Sequence, residues 1–426
     1  MRFLADHAFV GGAVARDVLI DIEDGRITAV TPGSVQRTAI PLRGLVLPGF
    51  ANAHSHAFHR ALRGRTHTGR GSFWTWRDRM YEVAAALDPD SYYRLARAVY
   101  GEMALAGVTA VGEFHYLHHA PDGARYNDPN AMGEALMAAA ADAGIRLTLL
   151  DTLYLTSGVD GRPPEGVQRR FSDGGFDAWA ERVAAAKPLP HVRIGAAAHS
   201  VRAVPPAELA ALAGRSPLHI HLSEQRAENE QCRATHGCTP TELLQRTGFL
   251  GPATTAVHAT HLTDSDIETL QGTGVCFCPT TERDLADGIG PARRLTGLSL
   301  GSDSHAVIDL LEEARALEMD ERLASEERGH FTTAELIAAM TNHAAIGWDD
   351  AGVIEPGRRG DLVTIALDSV RTAGTDPAQA VLAATAADVT QVVADGRLIV
   401  DDRRHTGFDV ARALHEATTA ARRSRT

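Results

Sequence analysis

The chain has 426 residues, 44% of them hydrophobic and 23% charged, with a formal net charge of −12. That is ordinary globular composition with room for a large core, and the acidic balance argues against nucleic acid or an anionic membrane surface as the main partner. No run reaches the about 18 apolar residues of a membrane span, residues 1–7 lack the apolar stretch of a signal peptide, and the four cysteines suit a reducing compartment, so a soluble cytoplasmic chain is expected.

In chain order, the first pattern is a hairpin. Residues 18–22 and 27–30 alternate apolar and polar around Asp24-Gly25, a strong tight-turn signal. The same pattern returns near the end, where residues 389–393 and 398–400 flank Asp395-Gly396 and residues 360–365 add a further strand. Neither end can bury its apolar face alone. Residues 1–48 and 355–410 are therefore expected to pair as one small β-sandwich domain, bounded by Leu47-Pro48-Gly49 and Glu355-Pro356-Gly357. Residues 411–426 read as a C-terminal helix and tail.

Residues 49–354 alternate strands with helices. Strands are predicted at 50–56, 108–115, 147–154, 192–199, 218–224, 255–261, 274–280 and 298–303, with helical periodicity at 91–106, 130–143, 176–187, 207–213 and 239–247. Eight strands alternating with helices predict an α/β fold, a (β/α)8 TIM-type barrel. Each strand turns polar at its C-terminal end, where barrel enzymes gather their chemistry. Cys276-x-Cys278 lies in an apolar strand and reads as structural.

His54 and His56 lie two apart on the first strand and so face one way. His221 ends the fifth strand, His258 the sixth, and Asp303 the eighth. Three imidazoles (His54, His56, His221) and the Asp303 carboxylate suit one divalent metal ion, zinc first and ferrous iron second. Such an ion would lower the pKa of water to about 7. Asp303 can then accept a proton, His258 can orient the attacking oxygen, and Glu224, three residues past His221, can protonate a nitrogen and a departing amine.

This pattern resembles the amidohydrolase superfamily over nearly the whole chain. Members with two metals bridge them by a carboxylated lysine on the fourth strand. Here the only lysine, Lys187, precedes that strand, which leaves one metal per chain. Single-metal members with this pattern imply deamination at a C=N carbon.

A narrower resemblance rests on His54-Ser-His-Ala-Phe-His59, Ser72-Phe-Trp-Thr-Trp-Arg77 and Glu113-Phe-His-Tyr116-Leu-His-His119. These strings are similar to the formimidoylglutamate deiminases of histidine degradation. The resemblance implies hydrolysis of N-formimidoyl-L-glutamate to N-formyl-L-glutamate and ammonia, with Arg77, Tyr116, His199 and Arg202 recognising the substrate. His59 stands where some relatives carry Gln and can still donate a hydrogen bond. Two Arg forks suit a small dicarboxylate. A homodimer is a further implication.

Two other readings compete. One is a deaminase of a heteroaromatic base or nucleoside-like substrate, which would want aromatic stacking from a chain only 5% aromatic. The other is an inactive barrel serving in assembly, which would lack the ligands. His115, His118, His119, His261 and His305 are placed near the same face without assigned roles.

Overall fold

In the computed structural model, which describes residues 1–36, 38–67 and 70–423, two eight-stranded sheets carry the fold. The chain opens with β1 (Arg2–Val10), β2 (Ala13–Glu23), β3 (Arg26–Thr31) and β4 (Ile40–Pro48). The barrel follows as β5 (Phe50–Ser55), β6 (Val108–His115), β7 (Arg146–Leu153), β8 (Val192–Ala198), β9 (Leu218–Leu222), β10 (Thr254–His258), β11 (Gly274–Phe277) and β12 (Leu298–Leu300). The chain then returns to the first sheet with β13 (Leu362–Ile365), β14 (Val389–Ala394), β15 (Arg397–Asp401) and β16 (Arg404–His405).

Every neighbouring pair from β5 to β12 is parallel. Most of these strands are buried along their whole length, as expected when helices cover one face and barrel side chains the other. The ring is nearly closed. A single bridge joins Ser55 to Asp303, and the amides of Ser302 and Asp303 donate to the His54 carbonyl at 3.1 and 3.0 Å.

Several barrel strands end earlier than their sequence pattern suggests, and the backbone explains it. Ser223, His258, Ala259, Asp303 and His305 all have positive φ. The chain leaves the sheet there through left-handed turns that aim side chains over the barrel mouth. Such conformations cost of order 1–3 kcal/mol each for residues other than glycine and cluster at functional sites.

The ends meet in one mixed sheet, ordered β16-β15-β14-β13-β4-β1-β2-β3. Both predicted hairpin turns form with positive φ at both central residues, Asp24-Gly25 and Asp395-Gly396, the geometry that suits strand twist. Phe3, Val18, Ile20, Ile22, Leu42, Val46 and Leu362 form its separate core. A buried ion pair ties this sheet to the barrel floor: Arg146, at the start of β7, pairs with Asp361 beside β13 and reaches Asp395 at 2.8 Å.

The C-terminal helix, Val410–Arg423, packs on the barrel helix Pro89–Leu105. Gly101 makes the approach possible, since a Cβ there would meet the Phe408 ring at 2.7 Å. The last three residues of the predicted tail lie outside the described residues. No helix among the described residues is long and apolar enough to cross a membrane.

Candidate active site

Above the barrel mouth lies a cavity of about 200 Å³. Its floor carries His56, His221, His258, Glu224 and Asp303, with His54 buried just beneath. The His54 Nε2 atom is 3.1 Å from His221 Nε2, which is 3.4 Å from His56 Nε2. Asp303 Oδ1 is 3.4 Å from both His54 Nε2 and His56 Nε2.

These spacings test the metal reading. A tetrahedral ion with bonds of about 2.0–2.1 Å separates its ligands by about 3.3–3.4 Å. Two imidazoles are also turned correctly. His56 Nδ1 donates to the Phe114 carbonyl at 2.9 Å and His221 Nδ1 to the His199 carbonyl at 2.8 Å. That fixes the tautomer and frees each Nε2 lone pair for the centre. Burial holds His56 down to about 3, helped by the neighbouring His54, so it stays a neutral ligand. Asp303 is held well below the usual carboxylate range: burial raises it, but His54 and the surrounding imidazoles overcome that. The donor set fits a divalent ion.

Glu224 and His258 flank this group. The His258 Nε2 atom lies 3.9 Å from Glu224 Oε1 and 3.8 Å from Asp303 Oδ2, while its Nδ1 lies 3.4 Å from Glu282 Oε1. Against burial, these carboxylates raise His258 to about 10 in the protein alone; a dication beside it would oppose that rise. Burial raises Glu224, which favours the protonated acid a donor needs.

The predicted recognition residues all line the same cavity, but in two different electrostatic states. Arg77 sits on the helix Phe73–Ala86, its guanidinium stacked over Trp74 at 4.5 Å. Among the described residues it has no carboxylate partner, and its buried Nε has no hydrogen bond. Arg202 is not the free fork the sequence suggests. Its Nε is 2.8 Å from the buried Glu228 Oε2, and an outer nitrogen is 3.7 Å from Glu224. Tyr116 shares a hydrogen bond with His59 Nε2 at 3.1 Å, and His199 packs edge-on against Tyr116 and Tyr154.

Glu228 was missed; it lies in the first turn of the helix Arg226–His236, just after the turn that carries Glu224. It also accepts the Ser223 amide at 2.9 Å, bracing the turn that carries Glu224. The low aromatic content misled in another way. Phe73, Trp74, Trp76, Tyr81, Tyr116, Tyr154 and Phe171 all line this one cavity, so composition gives no argument against a stacked ring.

The remaining histidines stand outside the cavity. His115, His118 and Asp151 cluster behind the wall, but Asp151 is already held by Arg182 at 2.7 and 2.8 Å and by Trp179 at 2.9 Å. His119 faces Asp173 at 3.2 Å, the His261 carbonyl accepts from Asn229 at 2.6 Å, and His305 meets Ser55 at 3.1 Å. All four cysteines are buried free thiols.

Comparison with known proteins agrees with this geometry. The family model described as "Amidohydrolase family" matches residues 45–399. A formimidoylglutamate deiminase from Pseudomonas aeruginosa is 35% identical over 95% of each chain, and an 8-oxoguanine deaminase from the same organism is 29% identical over 94% of each. Among solved structures, an amidohydrolase from Brucella melitensis superposes with a TM-score of 0.88 at 29% identity, covering 99% of both chains.

Proposed function

The chain belongs to the amidohydrolase family and is a hydrolase of C–N bonds; from that premise we propose that it converts N-formimidoyl-L-glutamate and water to N-formyl-L-glutamate and ammonia. The observation that carries this reading is Arg77, a partly buried guanidinium in the cavity wall with no acid of its own among the described residues. An anionic substrate is its natural complement. Similarity to a formimidoylglutamate deiminase at 35% identity supports it.

His54, His56, His221 and Asp303 would hold the ion, which when bound supplies Lewis acidity and ionised water near neutral pH. The chain's own groups do the rest. Arg77 and Tyr116 grip the carboxylate end, and Arg202, with His199 and His59, lines the other side. That places the formimidoyl carbon over the Asp303 and His258 side chains. Asp303 takes the proton from the attacking oxygen while His258 fixes its direction. Glu224 protonates the imine nitrogen as the carbon becomes tetrahedral; the proton held by Asp303 then passes to the departing amine, and the new hydroxyl returns its proton to Glu224 as the carbonyl forms. The C–N bond breaks and ammonia leaves. Zinc as the ion, a place in histidine degradation, a cytoplasmic location and a homodimer belong to the same proposal.

The seven aromatic side chains around the cavity favour a second reading, deamination of a heteroaromatic base, and the 8-oxoguanine deaminase relative supports it. Ammonia release from formimidoylglutamate, guanine, 8-oxoguanine, cytosine and methylthioadenosine separates the two. We expect formimidoylglutamate to be preferred by orders of magnitude in kcat/KM. Turnover of a base with none of formimidoylglutamate overturns the first reading.

A further inference from the structure

The barrel closes where its last strand meets its first, and that seam has no regular ladder. β12 ends at Leu300, and among the described residues the following segment pairs with β5 through one isolated bridge, Ser55–Asp303, with the Ser302 and Asp303 amides also donating to the His54 carbonyl. Three of the residues assigned to the ion straddle this seam: His54 and His56 on one side, Asp303 on the other. Asp303 has a φ of 36° and His305 one of 57°. Strain of that kind persists only where the surroundings over-determine the backbone.

A line of buried side chains does so. Glu113, on β6, accepts from the Ser55 hydroxyl at 2.6 Å and from the Ala57 amide at 2.6 Å. Ser55 has one hydroxyl hydrogen, and it is committed to that carboxylate. Its oxygen is therefore the acceptor for His305 Nε2–H, 3.1 Å away. Arg63 Nε grips the His305 carbonyl at 2.6 Å. A second tie lies deeper, where Asn52 Nδ2 donates to Ser302 Oγ at 2.7 Å and the Ser302 amide donates to Asn52 Oδ1 at 3.0 Å. Glu113, Ser55 and His305 are buried and none lines the cavity. Yet Ser55 sits between His54 and His56, and the His305 amide closes the turn from Ser302 that holds Asp303.

We infer that Glu113, Ser55 and His305 are positioning residues for the metal centre. Their chain of hydrogen bonds sets the spacing between the imidazoles of the first barrel strand and the carboxylate after the last. The inference rests on the metal-centre reading and is independent of which substrate is used.

The test is the Zn²⁺ dissociation constant of the full chain, measured by competition with a chromogenic chelator, beside the melting temperature of the metal-free protein. The melting temperature reads the packing cost of each change separately. Ser55→Ala and His305→Ala should each weaken zinc about 10–100-fold, the usual cost of losing a group that orients a ligand. Because both break one chain, the double variant should bind within about threefold of the weaker single. His305→Gln, whose amide can still donate to Ser55, should recover most of the loss. Single variants that hold zinc within threefold of the parent, or losses that multiply in the double variant, overturn the inference. A parent chain that binds no zinc overturns the metal-centre reading with it. If Ser55→Ala does not fold, Glu113→Leu, which removes the acceptor for Ser55, replaces it in the same cycle with the same two criteria.

Discussion

At the scale of single residues, the two guanidiniums of the cavity predict different behaviour. Arg77 has no acid partner among the described residues, so Arg77→Ala should raise KM for formimidoylglutamate at least tenfold with little change in kcat or melting temperature. Arg202→Ala leaves Glu228 buried without its counter-charge, which typically costs about 3–5 kcal/mol. Thermal unfolding should therefore report it as strongly destabilised, and equal stability of the two variants would contradict the pairing. Glu224→Gln should lower kcat by about 10²–10⁴-fold, the range of general acid–base help, while metal content measured by mass spectrometry stays unchanged. Retention of full kcat would remove Glu224 from the proton path. His54, His56, His221 and Asp303 were legible because alternation and strand order place them. The Arg202–Glu228 pair was not, because it joins the end of β8 to a helix that follows β9, and no local pattern records that approach.

Among elements, the seam between β7 and β13 contributes an acid-sensitive step. His343 donates to the Gly49 carbonyl at 2.9 Å, and burial, aided by Arg146, lowers it to about 4. Unfolded, it titrates near about 6.5. The unfolded chain therefore binds the proton first as pH falls, so this contribution is complete above about 6.5 and lost towards about 4. Asp361 behaves as the other case. Burial raises it, Arg146 outweighs that, and its pKa ends below the usual range; its contribution persists to about pH 4 and is lost beneath. Denaturant unfolding between pH 7 and 4.5 should show stability falling steadily, and His343→Gln should flatten that slope by about one proton, or about 1.4 kcal/mol per pH unit. An unchanged slope would mean another group carries it. The elements themselves were legible. Eight predicted strands and both Asp-Gly hairpins have counterparts in the structure, since period-2 and period-3.6 patterns are local. The early strand ends were not, because positive φ at Ser223, His258 and Asp303 is imposed by neighbours rather than preferred by those residues.

For the whole molecule, barrel closure brings together ligands spread from His54 to Asp303, and the terminal sheet braces the opposite end of the barrel through Arg146 and Asp361. The acidic net charge and the cavity's acid-free, partly buried guanidinium are compatible because a pocket's local field can oppose the total. What composition concealed was distribution, since seven aromatic side chains line one cavity. One ion working on one amidine is the chemistry proposed for this barrel. Its most direct measurement is the ammonia released from N-formimidoyl-L-glutamate as zinc is titrated into chelator-treated protein. The rate should rise linearly and break at one equivalent per chain. A break at two equivalents, or no ammonia at any ratio, would contradict it.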